Sequence, residues 1–240
     1  MTPTKTKSIN IEKSKLVNNM FNRIAKKYDL LNTIMTFGQH KKWKEYAVKL
    51  ALSELKHTET ALDICTGTGD LLLTINKYCK NCKITGIDNS ETMLDIAKRK
   101  INKINNLSVR YENFEESENI NEKYDLITIG FGLRNLSKQE SSINKIYKTL
   151  NPNGVFACID LGYPTNILWR KVFFFYFFSI VPILGLIFAG NREAYSYLPN
   201  SLTSWYKQEE LKTLLLKTGF KKCFYKNIFG GVIAIHIATK

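Results

Sequence analysis

The stretch TALDICTGTGD (60–70) limits what this chain can fold into more than any other. A short apolar run over 60–65 stops at a glycine cluster, and a helix-forming segment follows from Asp70 to about Tyr78. Runs of that kind, apolar on both faces, read as buried strands of a parallel sheet. The pattern then repeats. CKITGIDNS (82–90) is a second strand ending at Asp88, with a helix over 91–104. LSVRYENF (107–114) is the third strand and YDLITIGFG (124–132) the fourth. A helix over 137–150, the turn NPNG (151–154) and the strand VFACIDL (155–161) complete the series. This alternation predicts an open α/β sheet with right-handed crossovers.

The flanks extend that core. Residues 14–36 and 39–56 carry Leu16, Met20 and Ile24, then Trp43, Ala47, Leu50 and Leu55, at helical spacing, and predict a helical cap. The polar first residues, 1–13, read as a mobile tail. KQEELKTLLLKTGF (207–220) is an amphipathic helix closing at Gly219. KKCFYKNI and GVIAIHIATK read as two strands joined at Phe229-Gly230-Gly231, a hairpin. No linker or repeat divides the chain, so 14–240 reads as a single domain carrying an apolar insertion over 162–206. A length of 240 residues with 44% hydrophobic content is enough for one large core.

Ligands of open α/β sheets bind beyond the carboxyl ends of the strands. The loop LDICTGTGD (62–70) lies there, and Gly67 and Gly69 allow a tight turn and a close backbone approach. Asp63 could hold either the loop or a ligand ammonium group. Asp88 ends the second strand at the spacing of a ribose-binding carboxylate. A dinucleotide site would have a third glycine where Leu72 stands, and Asp70 would repel a phosphate from the helix N-terminus. A cationic sulfonium with an amino group tolerates these acids, so S-adenosylmethionine is the cofactor expected.

The net charge of +14 suits a polyanion, either nucleic acid or anionic headgroups, with a compositional drift toward Lys and Asn and no partner as the alternative. The N-terminus is too polar for a secretory signal, and five cysteines are an odd number, so reduced thiols in a cytosol-like compartment are expected. Cys79-Lys80-Asn81-Cys82 lacks the second pair of a zinc site and reads as a helix end, and no metal is expected. WRKVFFFYFFSIVPILGLIFAGNR (169–192) is long and apolar enough to cross a bilayer. Crossing would separate the last strands from the sheet that they complete. Pro182 and Gly185 are expected to interrupt a continuous helix. Arg170 and Lys171 before the run and Arg192 after it give no strong orientation signal. The run therefore reads as a cover on the substrate entrance that dips into the membrane interface, with Phe174, Phe175 and Phe178 meeting lipid and substrate. Wholly internal burial is the competing reading.

Five stretches together resemble the S-adenosylmethionine-dependent C-methyltransferases of menaquinone, phylloquinone and ubiquinone biosynthesis. They are MFNRIAKKYDLLNTIMTFGQHKKWK (20–44), LDICTGTGDL (62–71), DNSETML (88–94), FGLRN (131–135) and FGGVIAIH (229–236). The resemblance implies a Rossmann-like methyltransferase fold, with a seven-stranded, mostly parallel sheet, an antiparallel C-terminal hairpin and an N-terminal helical cap. It implies cofactor contacts at Thr68, Asp88, Asn113, Phe114 and Gly130. Three departures stand out: Cys65 replaces a frequent glycine, Asn113-Phe114 replaces the usual Asn-Ala, and Gly130 replaces a frequent serine. FGQH followed by Lys-Lys-Trp-Lys is closer to the cyanobacterial and plastid branch, which implies a prenylated demethyl-naphthoquinol substrate. A cytoplasmic or stromal location with peripheral membrane association follows from the same resemblance, and a homodimer is a candidate assembly.

In the reaction implied, a ring carbon attacks the methyl group once the neighbouring hydroxyl is ionised. Arg134 is assigned to stabilising that phenolate, Asn135 to orienting it or a water, and His40 to taking its proton. Phe131 lies beside them at the sheet edge. Tyr28 and Asp29 either close a lid over the cofactor or anchor their helix to the sheet. A benzoquinol methyltransferase, a nucleic-acid methyltransferase and a non-enzymatic membrane module are the alternatives. The densest aromatic cluster carries no interior charge, which suits a greasy substrate better than nucleic acid.

Overall fold

The computed structural model describes residues 3–117, 122–190 and 192–240. Side chains are described from Lys15 onward, with 189, 192 and 193 excepted. The tail expected over 1–13 and the Arg192 flank therefore lie outside the described side chains. The helical backbone of α1 nonetheless begins at Pro3 and runs to Met35.

Five parallel strands form the body of the sheet: β1 (Thr60–Ile64), β2 (Lys83–Asp88), β3 (Leu107–Tyr111), β4 (Tyr124–Gly130) and β5 (Leu150–Leu161). β6 (Lys222–Ile228) and β7 (Ile233–Thr239) add the hairpin, giving the order β3-β2-β1-β4-β5-β7-β6. β7 pairs antiparallel with both neighbours and alone runs against the rest. The order reverses between β1 and β4, so their carboxyl ends open a crevice. β1 and β4 are largely buried on both faces, as their mostly apolar sequences require, and the buried Asp63 and Thr128 within them bond to each other.

Helices α2 (Gln39–Ser53), α3 (Asp70–Tyr78), α4 (Glu91–Ile101), α5 (Gln139–Thr149) and α9 (Gln208–Thr218) pack around the sheet. α4 shows how local sequence sets these boundaries. The Ser90 side chain accepts the Met93 N–H, Glu91 occupies the first turn, and Lys98, Arg99 and Lys100 occupy the last. Such a cap is worth about 1 kcal/mol, and the charges oppose the helix dipole favourably. Gly219, at φ 118°, ends α9.

Three local expectations need correction. NPNG does not stand outside the sheet. β5 begins at Leu150 and absorbs the turn as an irregularity in its pairing with β4, with Asn153 at φ 62°. Cys79 and Cys82 form a disulfide in place of free thiols. The turn after α3 brings their Cα atoms to 5.5 Å, within the span of such a bond.

The third correction concerns the apolar run, which stays helical from Ile167 to Phe188. α6 (Ile167–Phe175) and α7 (Val181–Leu184) are joined and continued by π turns at Tyr176–Ile180 and Gly185–Ala189. The π spacing opens the turn around Phe178, whose carbonyl a proline four residues later would otherwise strike, so Pro182 does not break the helix. Gly185 admits α8 (Arg192–Thr203) instead: a Cβ there would lie 2.4 Å from Tyr195 Cγ.

Candidate active site

The loop after β1 is built on positive backbone angles, at Cys65 (φ 54°), Gly67 (φ 56°) and Gly69 (φ 81°). Asp63 holds it from behind. Its carboxylate accepts the Thr66 hydroxyl at 2.6 Å and the Thr128 hydroxyl at 2.7 Å. Burial pushes its pKa up to about 6 against those two bonds. Asp63 does not line the cavity beside the loop, so of its two candidate roles the geometry gives it the loop.

Asp88 faces the same loop across the crevice. Its Oδ2 accepts the Gly67 N–H at 2.8 Å and its Oδ1 accepts the Ser90 N–H at 2.8 Å. Burial raises its pKa and the backbone donors pull it down. Each oxygen keeps a lone pair for a ligand hydroxyl. Gly67, Asp88, Asn113, Phe114 and Gly130 line one cavity of about 90 Å³. Glu112 also lines it, with Oε1 buried and without a hydrogen-bond partner among the described residues. The Lys145 ammonium sits 4.6 Å from the centre of the Phe114 ring on this wall.

Thr68 is placed differently from its expected cofactor contact. Its hydroxyl donates to Asp29 Oδ1 at 2.6 Å, away from the cavity lining. The other Asp29 oxygen pairs with Lys100 at 2.7 Å, Lys100 with Asp70 at 2.8 Å, and Asp70 with Lys44 at 3.1 Å. Burial opposes ionisation of Asp70, yet Lys44 and Lys100 hold its pKa at about 2. This chain of charges ties α1, α2, α3 and α4 together. Asp29 is thus an anchor, whereas Tyr28 reaches the site.

A second, larger cavity of about 640 Å³ lies beside the first. Ile24 on α1, Trp43 on α2 and Phe173, Tyr176 and Phe177 on the apolar helix make its wall mostly hydrophobic. Phe21, Tyr28 and Phe131 border both cavities. Phe131 is held at φ 59° with its N–H on Ile159 O at 2.7 Å. A bulky residue in that region is strained, and such strain collects at functional sites. Gly132 follows because a Cβ there would fall 2.6 Å from Cys65 Cβ.

The turn Leu133–Asn135 splits its two polar residues between the cavities. Asn135 lines the smaller one, donates to Phe131 O at 3.1 Å and accepts the Tyr197 hydroxyl at 3.3 Å. Arg134 lines the larger one but is not free to swing. Nη1 engages the buried Asp160 carboxylate and donates to Phe131 O at 2.9 Å, while Nε donates to Ser201 Oγ at 3.2 Å. Its first task is therefore to fasten the loop that carries Phe131. Burial pushes Asp160 up in pKa and Arg134 opposes this.

His40 stands in the larger cavity, 3% exposed. Its tautomer follows from its neighbour. Thr36 Oγ1 spends its one proton on Asn32 O at 2.6 Å and lies 2.9 Å from His40 Nδ1. Nδ1 must then be the donor, which leaves Nε2 as an acceptor, and Nε2 has no partner among the described residues. Burial and Lys44 lower its pKa to about 4, with Asp70 opposing, so the ring is neutral near pH 7.

Phe174, Phe175 and Phe178 do not line the cavity; their neighbours Phe173, Tyr176 and Phe177 do. Phe175 is 66% exposed and Phe178 41%. The helix is apolar all round, so hydrophobicity could not say which face turned inward. Glu112, Asp160 and Tyr195 escaped the sequence reading because no motif marks them.

Comparison with known proteins fits this geometry. The family model for the ubiE/COQ5 methyltransferase family matches residues 8–240. A ubiquinone/menaquinone biosynthesis C-methyltransferase of Rickettsia bellii is 35% identical over 236 residues, 95% of this chain and 94% of that protein. Demethylmenaquinone methyltransferases of Oceanobacillus iheyensis and Leptospira interrogans are 36% and 37% identical, again over 95% of this chain and 96% and 94% of theirs. Among solved structures, a SAM-dependent methyltransferase of Thermotoga maritima superposes with a TM-score of 0.65 at 16% identity, over 93% of this chain and 99% of that one. The plantazolicin methyltransferase BpumL in complex with SAH gives 0.62 at 17%, over 99% and 98%. These likenesses show the Rossmann-like methyltransferase fold, and the cofactor is S-adenosylmethionine. Open space over Gly67 and the unpartnered Glu112 Oε1 suit a ligand rich in amino and hydroxyl groups. The family match leaves no part of this sheet and its cap outside it, and the chain belongs to the ubiE/COQ5 methyltransferase family.

Proposed function

We propose that the chain methylates a ring carbon of a prenylated demethyl-naphthoquinol at the lipid interface. The observation that carries this reading is the large apolar cavity adjoining the cofactor cavity, lined by His40, whose Nε2 has no partner among the described residues. The names of the relatives, which include demethylmenaquinone methyltransferases, support a quinone ring as the acceptor.

S-adenosylmethionine, when bound, supplies an electrophilic methyl group. Ring carbon becomes nucleophilic as the adjacent hydroxyl gives its proton to His40 Nε2; once that carbon carries the methyl group, its own C–H proton is released as the ring regains aromaticity and the oxygen takes its proton back from His40. An imidazole of pKa about 4 is always available to accept but is only weakly basic, so its proton transfer accompanies carbon–methyl bond formation rather than preceding it. Phe21, Tyr28 and Phe131 hold the ring edge against the opening between the cavities, which supplies the positioning that methyl transfer needs. Arg134 keeps Phe131 in place and adds positive charge to the wall where phenolate develops.

The outer face of the apolar helix supports a membrane role. Ile167, Leu168, Phe175 and Ile187 are each more than 60% exposed, and the opposite face lines the cavity. One helix would thus touch lipid and substrate at once, beside a chain of net charge +14.

Labelled S-adenosylmethionine incubated with the purified protein and reduced demethyl-naphthoquinones, beside a demethyl-benzoquinone, tests the reading. Label in the naphthoquinol ring is expected. Label only in the benzoquinol would reverse the ring assignment, and label in neither would sink the quinone reading.

A further inference from the structure

Two residues that line the large cavity each keep one buried polar atom without a hydrogen-bond partner among the described residues: His40 at Nε2 and Tyr195 at its hydroxyl. Tyr195 is 1% exposed. An unpaired buried hydroxyl is a cost to the free protein and is rare in folded chains. It cannot turn aside to find a partner either. Gly185 presses against the Tyr195 ring so closely that a Cβ would lie 2.4 Å from its Cγ and Cδ2. The ring is wedged against the apolar helix at Gly185, its oxygen buried, in a residue that lines an otherwise mostly hydrophobic cavity.

The two orphans differ in chemistry. His40 Nε2 can only accept, as the Thr36 bond dictates. The Tyr195 phenol both donates and accepts, and burial keeps it protonated by raising its pKa. A 1,4-quinol presents two oxygens on opposite sides of a flat ring. One acceptor and one donor in the same cavity are what such a ring needs.

We propose that Tyr195 binds the second ring oxygen of the quinol, donating to the oxygen para to the one that His40 Nε2 engages. The inference rests on the quinol reading of the site. With both oxygens held, the ring cannot spin in a cavity that otherwise offers only apolar contact. The edge to be methylated then stays toward Phe131 and the cofactor. Sites that hydrogen-bond a substrate hydroxyl discriminate against analogues lacking it, because the site's polar group is left unpaired.

The test compares wild type with Tyr195→Phe on two reduced substrates of equal tail. One is the dihydroxy naphthalene; the other keeps only the oxygen next to the acceptor carbon. Methylation of the dihydroxy compound by wild type is the prior control, and its failure would count against the quinol reading rather than against Tyr195. Wild type is expected to prefer the dihydroxy ring by roughly tenfold in kcat/KM, the scale of one hydrogen bond. Tyr195→Phe should lose about that factor on the dihydroxy ring and nothing on the other. Affinity for S-adenosylmethionine should not change, and Tm without substrate should hold or rise as the orphan hydroxyl goes. Equal losses on both rings, or none on the dihydroxy ring, would overturn the assignment. Should the variant fail to fold, the wild-type preference decides alone: a ratio near one would overturn it.

Discussion

Arg134 and Asp160 form an ion pair with each side chain only 3% exposed, where the turn after β4 meets the end of β5. The pair fastens the turn whose carbonyl at Phe131 also accepts from Arg134. Arg134→Ala should therefore abolish most turnover, by roughly a hundredfold, while affinity for S-adenosylmethionine is retained. Leaving Asp160 charged and alone should cost about 3–5 kcal/mol in denaturant unfolding. Removing both partners should recover much of that stability without recovering turnover. Unchanged turnover in the single variant would remove Arg134 from the mechanism.

His40 makes a pH prediction whose sign is fixed. Its folded pKa, about 4, lies below the ordinary histidine value of 6.5. The unfolded chain therefore binds the extra proton between those values. Its stabilising contribution is complete above pH 6.5 and is lost as pH falls toward 4. Measured against His40→Asn, wild type should lose up to about 1.4 kcal/mol per pH unit across that window. Parallel curves for the two proteins would contradict the buried, neutral ring. Asp63, raised to about 6, acts in the opposite sense, and Asp63→Asn should steepen the acid loss between pH 6 and 4.

Gly67 separates a ligand role from a structural one. A Cβ there meets nothing within 4 Å, so Gly67→Ala bears only the positive-φ penalty, about 1–2 kcal/mol. The same methyl would project where the cofactor approaches. Calorimetry should show weakened S-adenosylmethionine binding in a variant that still unfolds cooperatively. Unaltered binding would place the cofactor elsewhere.

The apolar helix predicts different phenotypes for its two faces. Phe175→Asp, on the outer face, should reduce co-sedimentation with anionic liposomes and the use of long-tailed quinols, while short-tailed analogues are spared. Phe177→Ala, on the cavity face, should cost about 3–5 kcal/mol of stability and harm both substrates. Equal losses from Phe175→Asp on both tails would favour an internal role for that face.

The position of Asp88 was legible before any coordinates because it depends on chain order: a carboxylate ending strand two, a fixed distance after the glycines. The same holds for the seven strands and for Gly67, where spacing and conformational freedom are properties of the sequence itself. Thr68 and Asp63 were harder, since a hydroxyl or carboxylate beside a loop can face the ligand or brace the loop. Only the position of Asp29 on α1 and of Thr128 on β4 decided between these. The apolar helix marks the limit most clearly. Every face of residues 167–188 is hydrophobic, so periodicity carried no direction, and π turns rather than a break absorbed Pro182. Which phenylalanines line the large cavity, and which nitrogen of His40 and which hydroxyl lack a partner among the described residues, depend on residues far apart in the chain. The strands, the glycine loop and the family were readable along the chain, because they rest on local pattern. Tertiary packing alone decided the substrate wall, because burial and hydrogen-bond competition exist only once distant elements meet.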